Sequence, residues 1–309
     1  MIYFSICICT YNRADSLKKC IESVVKSSNE SEDEILVIDN NSTDCTKELV
    51  LNLARKFPQI RYQLETKVGL SIARNSGLSI ANGKFIIYLD DDCEVSLEWR
   101  NAFYHTTIQH PDFVGFGGPL EATFSTNKPR WAVGRSLQFF GHWKKGDYDI
   151  EIDWVPGGNS AWKTFDLKSV GGFSANMGRC GNSVLKNSEE SDAVNKLLKR
   201  GRKFFYSSNA LAYHHVLPER NSISWMIRRF YGQGYTAGIL FSANHDRKSI
   251  FIKLLIIIIW AFRQGFRTCL FATKLNFSKS INYFFMIFHD IAFCISLSKE
   301  LIVHNHQNK

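Results

Sequence analysis

The chain is poor in the features that mark several protein classes. Its eight cysteines (7, 9, 20, 45, 93, 180, 269 and 294) form no CxxC pair and no His/Cys cluster at zinc spacing. Several lie inside apolar, strand-like runs, where a free thiol behaves as a small hydrophobe, so a reduced, cytoplasmic compartment is expected. No basic residue precedes the apolar run Ile2–Thr10, which leads straight into a polar turn; a first strand is expected there rather than a leader peptide. There is no internal repeat and no low-complexity run. Acids are scarce late in the chain: from Asn221 onward three face eleven Lys/Arg, so this segment carries a net +8 of the chain's +9. A clean spanning helix of about 20 apolar residues is also missing, because Arg263, Gln264 and Arg267 interrupt the run LLIIIIWAF that follows Lys253.

What is present suits a large α/β protein. With 309 residues and 45% apolar content, the chain can bury one sizeable core beside a smaller appendage. Ile2–Cys9, Glu34–Ile38, Ile60–Gln63 and Phe85–Leu89 read as strands. Ala14–Lys26, Cys45–Phe57 and Gly69–Ala81 carry helical spacing between them, with Ser42 and Asp44 as N-cap oxygens for the second helix. This alternation predicts a mostly parallel sheet covered on both faces, with ligands beyond the carboxyl ends of its strands. Pro111–Gly158 is expected to hold mixed-direction strands and loops, Glu189–Gly201 a helix, and Lys203–His215 strand again. The division expected is an α/β domain over 1–220 and a basic, apolar helical region over 221–309.

Three motifs fall at the predicted strand ends: Thr10–Arg13, Asp39–Asp44 and Asp90–Asp92. Three adjacent carboxylates at 90–92 repel one another and call for a cation or a proton; hard oxygen ligands suit Mg2+ or Mn2+ shared with substrate phosphates. Alone, the run is equally a solvated acidic turn. Asp39-Asn40-Asn41-Ser42 alone is an ordinary Asx turn before a helix.

Taken together the motifs are more specific. CTYNR at 9–13, VIDNNSTD at 37–44, GLSIARNSG at 69–77 and YLDDDCEV at 88–95 resemble glycosyltransferase family 2, as do GGNSAWK at 157–163, GGF at 171–173, EESD at 189–192, HHVLPERNS at 214–222 and RRFYGQG at 228–234. The resemblance implies a GT-A Rossmann-like sheet, a nucleotide-sugar site within about 1–110 and an acceptor side within about 111–220. It implies that Thr10, Tyr11 and Arg13 border the nucleotide, that Asp39 contacts its base, and that Arg74 and Asn75 lie near the ribose or phosphates. Asp90, Asp91 and Asp92 would form the donor- and metal-binding acids, with Asp92 the preferred direct ligand, Asp90 beside it and His214 a further candidate. Gly157, Gly158 and Asn159 would line the reaction centre. The family's acidic pair falls on Glu189 and Glu190 where a Glu-Asp pair is usual; Glu190 is taken as the catalytic base, with Asp192 second.

The function expected is an inverting, non-processive sugar transfer from a nucleotide-diphosphate sugar, with Mn2+ or Mg2+, onto a sugar or lipid-linked acceptor such as a surface-polysaccharide intermediate. The QxxRW-type signature of processive relatives is missing. In the tail, Lys253, Arg263, Gln264, Arg267 and Lys274 fall in one arc of about 100° on a helical wheel, so a helix lying on an anionic membrane through 249–309 is expected, peripheral on the inner face of the plasma membrane; a helix packed on the catalytic domain gives the same pattern. Ile281–Leu297, interrupted by Asp290, is open between spanning, interfacial and packed. Arg228 and Arg229 fit a diphosphate or lipid equally. Trp131, Phe139, Phe140, Trp143 and Trp154 are candidates for sugar stacking, most of them expected in the core. A sugar-phosphate nucleotidyltransferase would show a Gly-rich, Lys/Arg-bearing loop near the N-terminus, which CTYNRADS lacks. No nucleic-acid partner is expected, because the positive charge lies in an Ile/Leu/Phe-rich segment.

Overall fold

The computed structural model describes residues 1–175, 189–242, 245–273 and 277–306. The described residues form two compact units: Met1–Thr123 with residues 141–175 and 189–216 in the first, Phe124–Phe140 with the described residues from 217 to 306 in the second.

The first unit opens as the hydrophobic patterning predicts: β1 (Phe4–Thr10), α1 (Ala14–Ser27), β2 (Asp33–Asp39), α2 (Thr46–Lys56), β3 (Ile60–Leu64), α3 (Leu70–Ile80) and β4 (Phe85–Asp90). It continues with β5 (Cys93–Val95), α4 (Trp99–Gln109), β6 (Gly115–Gly117) and β7 (Leu120–Phe124). After α5 (Arg135–Gln138) come β8 (Ile150–Ile152), β9 (Asn159–Lys163), α6 (Thr164–Ser169), α7 (Glu189–Leu198), β10 (Phe204–Tyr206) and β11 (Ala212–Val216). One eight-stranded sheet runs β3-β2-β1-β4-β9-β6-β10-β8, and β5-β11-β7 form a small second sheet. The β1–β2, β1–β4 and β2–β3 pairs are parallel, while β9 enters antiparallel between β4 and β6.

Alternation along the strands sorts side chains onto two buried faces. Phe4, Ile6, Ile8, Ile35, Val37, Ile87 and Leu89 pack with Leu17, Ile21, Val24, Val50, Trp99 and Phe103 of α1, α2 and α4. Cys7, Leu36, Ile38, Ile86 and Tyr88 pack on the other side with Ala73, Leu78, Leu167, Val194 and Leu197 of α3, α6 and α7. Register then aligns the strand ends. Thr10 pairs with Asp39 and Cys9 with Asp90, so Asp39 and Asp90 stand two strands apart, about 10 Å by strand spacing.

The cap of α2 differs from expectation. Its N-cap is Cys45, without a side-chain cap. Asp44 instead accepts bonds from the Thr46 amide (3.1 Å) and the Ala14 amide (3.2 Å), tying the starts of two helices together, while Ser42 Oγ accepts from the Asn12 amide.

The second unit contains α5, α8 (Ile223–Ser242), α9 (Arg247–Thr273) and α10 (Phe277–His306). Trp131, Phe140, Trp225, Phe230 and Phe285 form its aromatic core, so Trp131 and Phe140 are packing residues rather than sugar-stacking ones. Gly234 and Gly238 of α8 leave no room for a Cβ against His289, Phe293 and Ser296 of α10, the close approach that small residues allow. One side of α9 packs through Ile250 and Ile257 on Phe293 and Leu297. Its other side exposes Phe251, Ile252, Leu255, Ile258, Ile259, Phe262 and Phe266. The expected cationic face is therefore corrected in part: Gln264 is buried, Lys253 lies over the Phe241 ring and Arg267 over Tyr283, while Lys274 falls outside the described residues. Lys248–Ala272 and Lys279–Lys299 are each long and apolar enough to cross a bilayer, by length and composition alone.

Candidate active site

The site is built at the carboxyl ends of β1, β2 and β4, where the chain leaves the sheet. Asp91 turns inward and is buried; it accepts hydrogen bonds from Thr10 Oγ1 (2.8 Å) and Arg13 Nη1 (2.9 Å). The same Arg13 nitrogen reaches Asp92 Oδ2 at 3.0 Å, and His214 Nε2 from β11 lies 3.2 Å from Asp92 Oδ1. Asp90 is the most open of the three, with its side chain 41% exposed. Burial, more than the Asp92 charge, pushes the Asp91 carboxyl up to about 6 although Arg13 opposes the shift.

A second cluster closes on Asp90 from the far side. Arg74 of α3 donates to Glu189 Oε1 at 2.7 Å, to the Gly157 carbonyl at 3.0 Å and to Asp90 Oδ1 at 3.4 Å. Glu190 Oε2 stands 4.0 Å from the same guanidinium. Burial first, then the neighbouring Glu189 charge, pushes the Glu190 carboxyl up to about 7, with Arg74 pulling the other way. A carboxyl poised near neutrality is suited to proton transfer. Glu189 is committed to its ion pair, and Asp192 is taken by Lys196 one turn on, at 2.7 Å. Of the three acids at the start of α7, Glu190 stands farthest from its cation.

Several residues expected near the substrate also make contacts within the fold. Asn159 is fully buried: its amide oxygen accepts from Trp99 Nε1 (2.8 Å), and its nitrogen donates to the Pro119 and Ala210 carbonyls. Asn75 clamps Phe173 through both the amide and the carbonyl of that residue. Thr10 is 2% exposed and braces Asp91. Gly157 and Gly158 do admit a close approach, but by protein groups. A Cβ at Gly157 would lie 2.9 Å from Arg74 Nη1, and one at Gly158 would collide with the Asp90 carboxylate. Tyr11 stands 46% exposed at the end of β1.

At the β2 end, Asp39 is almost fully buried. It accepts from the Ser42 amide and from Tyr62 Oη, each at 2.8 Å; burial and that bond together raise the Tyr62 phenol, which stays a donor. Sequence reasoning missed two residues here. Tyr62 orients Asp39, and Asn40 holds the loop entering α3 through the carbonyls of Glu65 and Lys67 and the amide of Gly69. A Tyr at the middle of a strand and an Asn in a common turn carry no signal on their own.

Five carboxyl groups (Asp90, Asp91, Asp92, Glu189, Glu190) thus gather around two guanidinium groups, Arg13 and Arg74. Among the described residues no three His, Cys, Asp or Glu side chains form a complete metal cage. The donor set does fit a cation held by one or two protein groups and completed by a diphosphate: the Asp92 carboxylate adjoins the His214 imidazole, and the open Asp90 carboxylate lies at the same strand end.

Comparison with known proteins bears on the family and the fold. Residues 5–156 match the family "Glycosyl transferase family 2". The chain is 23% identical over 266 residues to the glucosyl-dolichyl phosphate glucuronosyltransferase of Haloferax volcanii, covering 82% of this chain and 83% of that protein. It is 27% identical over 247 residues to the succinoglycan biosynthesis protein ExoM of Rhizobium meliloti, covering 77% and 75% respectively. The mannosyltransferase PcManGT from Pyrobaculum calidifontis, solved with GDP-Man and Mn2+, shares the fold with a TM-score of 0.56 at 17% identity, over 98% of this chain and 75% of that one. With its motifs in order along a GT-A sheet, the segment 5–156 of this chain belongs to glycosyltransferase family 2.

Proposed function

We propose that the chain is an inverting, divalent-metal-dependent transferase that moves a sugar from a nucleoside-diphosphate donor to a lipid-linked or surface-polysaccharide acceptor on the cytoplasmic side of a membrane. The observation that carries this reading is Glu190, a carboxyl pushed up to about 7 at the rim of a cluster of strand-end acids. Inversion takes a single in-line displacement. Glu190 accepts the proton of the acceptor hydroxyl as that oxygen attacks the anomeric carbon, and the nucleoside diphosphate departs from the opposite face; such a base contributes about 10²–10⁴-fold. Asp39 receives an N–H of the base, Tyr11 borders the nucleotide, Arg13 faces its phosphates, and Arg74 lies behind Asp90. Asp92, Asp90 and His214 would hold the cation, which when bound neutralises charge growing on the leaving diphosphate. The mannosyltransferase that shares the fold was solved with Mn2+, which supports a divalent cation.

The acceptor class rests on two supports. One relative is named for glucosyl-dolichyl phosphate, another for succinoglycan biosynthesis. In addition, α9 exposes a strip of large apolar side chains with Arg263 at its edge, which suits the boundary between headgroups and acyl chains. Ligand linkage supplies the test: UDP or GDP with Mn2+ should raise the melting temperature of the purified protein. Indifference to both nucleotides, with and without metal, would leave the transferase reading unsupported. Ile259→Asp with Phe262→Asp should abolish cosedimentation with phosphatidylglycerol vesicles, and undiminished binding would remove the membrane role of α9.

A further inference from the structure

Arg74 is held from every side. Its guanidinium lies 5.8 Å from the ring centre of Tyr88 and 5.6 Å from that of Phe173, so its fork has little freedom to turn. Within that frame one nitrogen takes Glu189 while the other takes the Gly157 carbonyl and Asp90. Three segments far apart in sequence therefore meet on one planar group: the end of β4, the turn before β9 and the first residue of α7. Arg74 and Glu189 side chains are each only 5% exposed. A carboxylate at a helix start is already favoured by the helix dipole, so anchoring α7 does not by itself require a buried cation. A buried pair of this kind holds geometry, because removing either partner leaves the other uncompensated.

We propose that Glu189 is a positioning residue that acts through Arg74, locking the helix start that carries Glu190 to the Asp90 edge of the donor seat so that base and donor keep one fixed spacing. The inference rests on the reading of Glu190 as base and of the strand-end acids as the donor seat. Charge at Glu190 is set by the same contacts: among the described residues, Glu189 beside it on α7, Arg74 from α3 and Asp90 from β4 are the charged groups that act on it. Removing the Glu189 charge releases the Arg74 field towards Glu190 and removes a like-charged neighbour, and both changes lower the pH at which Glu190 ionises.

The test is a double-mutant cycle with two readouts, one of which needs no nucleotide. In ligand-free protein labelled with 13C at glutamate carboxyls, Glu189→Gln should lower the Glu190 midpoint by about one pH unit or more, the signal being assigned by its loss in Glu190→Gln. An unmoved midpoint overturns the proposal even if no nucleotide is ever found to bind. By calorimetry with UDP or GDP and Mn2+, Glu189→Gln and Arg74→Lys should each weaken binding by about tenfold. The double variant should be no weaker than Arg74→Lys alone, since a lysine cannot reproduce the fork; losses that multiply would mean Glu189 acts independently of Arg74. Should Glu189→Gln fail to fold, Glu189→Asp replaces it: nucleotide binding weakened several-fold with the Glu190 midpoint kept near its wild-type value supports the proposal, and wild-type affinity refutes it.

Discussion

The two ends of the central sheet carry similar chemistry balanced in opposite ways. At the amino ends of the strands, Arg100 donates to Asp33 (2.9 Å) and Glu32 (2.8 Å), and Glu34 accepts from Ser5, Arg61 and both nitrogens of Asn82. Burial would raise the Glu34 carboxyl, but those hydrogen bonds outweigh it and hold the group below its usual value. At the carboxyl ends, five carboxyl groups share two guanidinium groups, and Glu190 and Asp91 are pushed up instead. Acids matched by donors staple a fold, whereas buried acids that crowd one another hold protons nearer neutrality. The imbalance, rather than the presence of acids, distinguishes the working end from the structural one.

Substitutions at the two ends should therefore fail in different ways. Glu190→Gln should slow transfer by about 10²–10⁴-fold while UDP or GDP binding with Mn2+ stays within about twofold, because Arg13, Asp39 and the strand-end acids are untouched. A Glu190→Gln enzyme with wild-type turnover would unseat it as the base. Arg100→Ala strands Asp33, which is fully buried. Breaking such a pair costs about 3–5 kcal/mol, a fall in melting temperature of about 6–20 °C for a domain of this size. Nucleotide affinity per folded molecule should not change. A variant that loses affinity and keeps its melting temperature would erase the distinction between the two ends.

The sequence exposed the frame of this site better than its wiring. Alternating apolar runs placed β1 to β4 and the helices between them to within a residue or two, since both faces of a covered sheet must be filled. The acids at 39 and 90–92 were visible because each directly follows an apolar strand. Which polar groups remain open was not visible. Asn75 and Asn159 look available in the motifs GLSIARNSG and GGNSAWK, yet their partners are Phe173, Trp99, Pro119 and Ala210, supplied by distant parts of the chain. The Arg74–Glu189 pair joins residues 115 apart, a contact that no local pattern announces. In α9 the wheel grouped Gln264 with the cations, but tertiary packing buries it and turns the apolar side outward, because a neighbouring helix rather than helical periodicity decides which face is covered.

The smallest effect offers the closest comparison of the two ends. A carboxyl whose folded pKa lies below its unfolded value, as for Glu34, stabilises the fold above the ordinary value of 4.5 and loses that contribution as the pH falls below it. Glu190 has the opposite sign. Raised from 4.5 to about 7, it binds its proton more tightly in the folded state, so it costs nothing below 4.5 and its cost grows up to about 7, remaining constant above. Glutamine keeps the shape and cannot ionise. Glu190→Gln should then melt higher than the wild type, by about 2–4 °C for each kcal/mol relieved, when scanned well above pH 7, and the gain should vanish below 4.5. Wild-type turnover, given a donor and an acceptor, should rise through the same midpoint near 7, so the strain that weakens the fold and the charge that drives transfer would titrate together. A Glu190→Gln protein no more stable than wild type at any pH would show that α7 holds its second carboxylate without strain, and the contrast between the ends of the sheet would then rest on turnover alone.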